Sequence, residues 1–124
     1  ASDGPVSNGS PVVPGAIGVL LEGASLDNKL TDFTAAGQAQ GLFLGTNAGC
    51  FTELIGCNNV ACDIGINVRD GDVSIIGGMD RVARIGLQVQ STTSKIDVMR
   101  KMRQVQTPLN ATNPANIRII GSLT

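Results

Sequence analysis

The sequence predicts an all-β fold, a short parallel β-solenoid of about five rungs in which each circuit takes roughly 22 residues. Three observations predict it. Two strand-like registers recur in phase along the chain, and aliphatic residues inside them fall at alternate positions. The composition also favours strands joined by tight turns, with 16 Gly and 42% hydrophobic but only 15% charged residues in a chain of 124. A chain of this length reads as one domain.

The first element is an arm. Residues 1–15 place three Pro and three Gly among small polar residues, which restricts the backbone and gives helix nucleation little support. The predicted solenoid domain follows over residues 16–124. Its first register aligns Ile17–Glu22, Gln40–Gly45, Ile64–Arg69 and Ile85–Gln90 on Gly18, Gly41, Gly65 and Gly86, spaced by 23, 24 and 21 residues. One position after each glycine stand Val19, Leu42, Ile66 and Leu87, and three positions after it Leu21, Leu44, Val68 and Val89. Period two puts these eight on one face and Glu22, Asn67, Arg69, Gln88 and Gln90 on the other. Leu20 and Phe43 break that polar face and mark a second packing surface or a subunit contact.

The second register aligns Lys29–Thr34, Phe51–Gly56, Asp72–Gly77, Ser94–Met99 and Asn116–Gly121. The penultimate residues Phe33, Ile55, Ile76, Val98 and Ile120 are expected to form another internal apolar stack, so Asp at Ile66 or at Ile76 is expected to disrupt the middle of the coil. Cys57–Val60, Arg69–Asp72 and Gly77–Asp80 carry the Asn, Asp and Gly of turns between registers. Residues 96–106, IDVMRKMRQVQ, admit a short helix, but the run is too brief for several heptads. A local insertion, or a strand with an outward loop, is expected there, with residues 107–114 irregular.

The formal net charge of −1 supplies no general attraction to nucleic acid or to an anionic membrane. After Asp97, however, the chain holds Arg100, Lys101, Arg103 and Arg118 and no carboxylate side chain. Arg100, Lys101 and Arg103 are therefore candidate partner contacts together with Leu20 and Phe43; a polyanionic partner and an ordinary solvated face are both compatible with the run. Only three aromatic residues occur, Phe33, Phe43 and Phe51, so no Tyr or Trp anchor is present. Cys50, Cys57 and Cys62 lack zinc-site spacing and the chain has no His. They read as buried or semi-buried thiols, or as one disulfide leaving a thiol free. There is no phosphate-loop motif, no HExxH and no Ser-His-Asp set, and Asp63, Asp70, Asp72 and Asp80 read as turn or solvated residues. No catalytic, metal or cofactor-binding residue is assigned and no cofactor is expected. No apolar run of membrane-spanning length and no signal-peptide pattern at the start is present.

The recurring Gly-Ile-x-Val and Val-x-Ile-Ile-Gly circuits over residues 17–121 resemble the right-handed parallel β-helix family of phage tailspikes and of polysaccharide lyases and hydrolases. This resemblance implies a right-handed coil, a homotrimer and a noncatalytic structural role in a phage or virus particle, either decorating and stabilising the capsid or forming part of a tailspike. Its implied partners are capsid or tail proteins, with no membrane and no specific nucleic acid, and its implied location is the virion, assembled in the host cytoplasm. Two alternatives come with it: binding of a host polysaccharide through outward Asn67, Gln88 and Gln90, and a fragment of a polysaccharide lyase or hydrolase. The coil departs from the enzymatic members in being short and in lacking a pair of acids held across adjacent rungs.

Overall fold

The computed structural model describes residues 17–23 and 27–121, and it is a parallel β-solenoid. The expected arm of residues 1–15 lies outside the described residues. The strands are β1 (Ile17–Gly23), β2 (Asp27–Thr31), β3 (Thr34–Ala36), β4 (Gln40–Thr46), β5 (Phe51–Ile55), β6 (Asn58–Val60), β7 (Ile64–Asp70), β8 (Asp72–Val89), β9 (Ile96–Ala111) and β10 (Ile117–Ile119). A 3-10 turn, Pro114–Asn116, precedes β10. Among the described residues every strand pairing is parallel, and each joins a segment to the one a circuit later.

The pairings resolve into three sides. The first sheet stacks β1, β4, β7, residues 85–89 and residues 107–111. The second stacks β2, β5, residues 72–76, residues 96–99 and β10. The third stacks β3, β6, residues 79–81 and residues 101–103. The long strands β8 and β9 bend round the corners and contribute to all three sides, so the described residues complete four circuits and begin a fifth.

The first register holds as aligned. Val19, half-buried on the first rung, pairs with Leu42, Leu42 with Ile66 and Ile66 with Leu87, and Leu42, Ile66, Leu87, Leu44, Val68 and Val89 are buried. These columns face Leu54, Val73, Ile75, Ile96 and Val98 of the second sheet, forming one dry core. Full burial of each such side chain contributes about 1.5–3 kcal/mol relative to exposure. The glycines of this register have a packing cause. A Cβ on Gly18 would lie 2.9 Å from Ala35 Cβ, one on Gly41 would fall on the Asn59 amide, one on Gly65 on the Asp80 carboxylate and one on Gly86 on the Met102 sulfur. Ala35, Asn59, Asp80 and Met102 are the inward column of the third sheet, and the glycines vacate the space that column fills.

The second register needs correction at both ends. Thr31, not Phe33, pairs with Ile55, and Asp32 takes the corner place of Gly56 with φ of 53 against 66. Further on, Met99 pairs with Ile76 rather than with Gly77, because the corner Gly77-Gly78 holds one residue more than the Arg100 corner above it. A shift of one residue exchanges the two faces of a strand. The expected apolar stack therefore divides: Val98 is fully buried, whereas Ile76 and Ile120 point outward with 38% and 46% exposure. The inward column is instead Leu30, Leu54, Ile75 and Val98; Ile119 continues it in register on the last described rung, where no described rung above covers it and it is 40% exposed.

Two local expectations are also overturned. Cys57–Val60 and Gly77–Asp80 are not simple turns, since Asn58–Val60 and residues 79–81 are strand segments of the third sheet. The fourth circuit has no insertion. Residues 96–103 alternate inward and outward without a break, and residues 107–111 are a regular rung over residues 85–89. Arg100 occupies an inward position of that alternation, which hides the strand from a reading based on hydrophobicity.

Candidate functional site

The basic run of residues 100–103 straddles the wall of the coil. Arg100 points in and its side chain is fully buried, so it is not a surface contact. Its Nε donates to Asp80 Oδ2 at 2.7 Å and its Nη2 to Asp80 Oδ1 at 2.9 Å. The remaining donors reach the backbone carbonyls of Cys57 at 2.6 Å, Met79 at 3.1 Å and Gly77 at 3.2 Å. Asn59 Nδ2 donates to Asp80 Oδ1 at 2.9 Å. A buried pair repays its desolvation only when its donors and acceptors are satisfied, and here one guanidinium ties three successive rungs.

Outside, charged side chains pair from rung to rung. Arg84 grips Asp63 through two nitrogens at 2.9 Å, and Arg118 grips Asp97 at 3.0 and 3.2 Å. The Asp63 bond holds the Arg84 guanidinium above its ordinary range. Lys29 meets Glu53 at 3.7 Å, and Arg69 reaches across Gly45 to Glu22 at 3.7 Å. Exposed pairs of this kind contribute about 0–1 kcal/mol each. They commit these carboxylates to the scaffold.

Arg81 and Arg103 behave differently. They are register neighbours on the outer face of the third sheet, and Lys101 lies on the same face two residues before Arg103. Among the described residues no carboxylate lies within ion-pairing distance of these three. The structure thus brings Lys101 and Arg103 together, adds Arg81 and removes Arg100. Arg81 was missed because only the pairing of residues 79–81 with residues 101–103 places it there.

Beside this cluster runs a strip of outward apolar side chains on the second sheet: Ile55, Ile76 at 38% exposure, Met99 at 43% and Ile120 at 46%, aligned through successive rungs. Two depressions adjoin at Met79. One of about 610 Å³ is lined by Met79, Met99, Lys101 and Ile120 together with the corner glycines, and one of about 570 Å³ by Met79, Arg81, Arg103 and Gln104. Through Met79 the first, at the corner of the second and third sheets and lined mainly by apolar groups, continues into the second, on the outer face of the third sheet and lined by Arg81 and Arg103. The alternation in residues 96–103 was the available signal for Met99.

Leu20 and Phe43 pair in register on the outer face of the first sheet. Leu20 is 51% exposed, while Phe43 is half-buried with the Arg69 guanidinium 5.7 Å from its ring centroid. Next in that column, Asn67 is buried, and its Nδ2 donates to Gln40 Oε1 at 2.7 Å. The amide is therefore turned toward the wall of the coil rather than offered to a sugar. Cys50, Cys57 and Cys62 are all free and buried. Burial pushes the Cys62 thiol above the ordinary value, and the Asp80 carboxylate acts in the same direction.

Searched against family models, curated proteins and solved structures, the chain matches none.

Proposed function

We propose that this chain is a noncatalytic structural module of a phage or virus particle, a stiff coil that trimerises and attaches to other particle proteins through its outer faces. The observation that supports it is the presence of two separate outward apolar surfaces on one scaffold: the Leu20–Phe43 patch on the first sheet and the Ile76–Met99–Ile120 strip on the second. A decorating module needs one surface for its own copies and another for the assembly it decorates. The paired carboxylates favour the scaffold role, because Glu53, Asp63, Asp80 and Asp97 tie neighbouring rungs and Glu22 ties rungs two apart.

In this reading the Leu20–Phe43 patch is the trimer contact, and the site of action is the virion, assembled in the host cytoplasm. Sedimentation velocity of the whole chain at micromolar concentration is expected to give a trimer, and Leu20→Asp a monomer with an unchanged circular dichroism spectrum. A monomer for the unsubstituted chain at every concentration would overturn the homotrimer.

A further inference from the structure

We infer that the groove made by the two depressions meeting at Met79, from the corner of the second and third sheets across the outer face of the third, seats an extended acidic segment of a partner protein, with apolar side chains on Met79, Met99 and Ile120 and carboxylates among Arg81, Lys101 and Arg103. The inference rests on the structural role proposed above and names the chemistry of the second attachment surface. Its basis is an electrostatic imbalance on the outer face of the third sheet, where three cations lie together. Arg69, Arg84, Arg100 and Arg118 each meet a carboxylate on another rung. Arg81 and Arg103 instead stand opposite each other in register on adjacent rungs, whose strands are about 4.8 Å apart. Like charges directly opposed in neighbouring strands are destabilising, and a carboxylate placed between the two turns that repulsion into attraction.

The remainder of the groove decides what kind of anion fits. Its floor is thioether and aliphatic, supplied by Met79, Met99 and Ile120. Met side chains adapt to varied apolar partners. A free phosphate would leave that floor uncovered. A carboxylated sugar chain would set hydroxyls against it, and no Trp or Tyr is present to stack a sugar ring. An extended peptide meets both demands, because alternate side chains point opposite ways and the two flanks of the groove differ in the same sense. Since the whole chain carries a net charge of −1, the attraction is local to this face.

The test is fluorescence anisotropy with the whole chain and labelled synthetic peptides of about ten residues. The expected result is saturable binding of a peptide alternating Glu and Leu, weakened by salt, with no binding of the Lys and Leu counterpart. Combined Arg81→Gln and Arg103→Gln is expected to lower affinity about tenfold or more, and Met99→Asp to do the same without changing the thermal melt. Equal binding of oligoglutamate or of polygalacturonate would overturn the inference in favour of a plain anion site or a sugar site. Unchanged affinity in the substituted chains would also overturn it. Sedimentation velocity separates it from the trimer: the groove variants are expected to remain trimeric, and their dissociation to monomers would assign the groove to a second copy instead.

Discussion

Along the first sheet the inward columns run Leu42, Ile66, Leu87 and Leu44, Val68, Val89, while the inward column of the third sheet runs Ala35, Asn59, Asp80, Met102. Both line the same coil, but they hold it by different physics. The aliphatic columns act by area and dispersion, so their contribution changes by degrees with each methyl group. The third sheet depends on a buried hydrogen-bond network in which Asp80 receives Asn59 and Arg100, and that guanidinium reaches three backbone carbonyls. Such a network fails as a unit, because losing one member leaves a charge without water or partner.

Substitutions can break or sharpen this comparison. Ile66→Asp should have the largest effect, placing a carboxylate in the middle of the aliphatic columns at a fully buried site. A loss of about 5 kcal/mol or more is expected, read as failure to refold from urea. Arg100→Met should cost about 3–5 kcal/mol by leaving Asp80 buried and unpaired. Combining it with Asp80→Leu should restore part of that loss, and a double-mutant cycle in urea measures the coupling. Gly65→Ala ought to cost about 1–3 kcal/mol, since the added methyl must displace the Asp80 carboxylate. Ile76→Asp, by contrast, should cost about 1 kcal/mol or less, because the side chain is on the outer face. Thermal melts of Ile66→Asp and Ile76→Asp side by side test the assignment of faces directly.

The smallest expected effect concerns pH. Burial raises the Cys62 thiol above its ordinary value of 9.0, so the folded chain keeps this proton at pH values where the unfolded chain releases it. The folded state then binds more protons, and stability falls as pH rises above about 9. Below that pH both states are protonated and the group has no influence. Urea midpoints measured up to about pH 10 should decline less steeply for Cys62→Ala than for the unsubstituted chain.

The first sheet was legible because two signals coincide there: an aliphatic period of two, and glycines imposed by what packs opposite them. The second sheet was half legible. Ile55, Ile76 and Ile120 look like core residues in composition, and Val98 falls out of line with them because the corner Gly77-Gly78 stands against Arg100 alone, an extra residue that no local pattern announces. The third sheet was illegible as a strand stack. With Asn59 and Asp80 on its inside and Met79 on its outside, its sidedness runs against hydrophobicity. Of the candidate contacts, Lys101 and Arg103 share a face, Leu20 and Phe43 share another, and Arg100 left the surface altogether.

By itself the sequence determined the length of the circuit, the all-β class and the dry columns of the first sheet, because a side-chain period and a glycine spacing are properties of the chain alone. Only the tertiary structure decided which charges are spent and which are offered. Arg100 and Arg103 stand three residues apart, yet one finds Asp80 inside while the other finds Arg81 outside. Both of those partners lie one circuit earlier in the chain, and the closing of the coil, not the local sequence, brings them within reach.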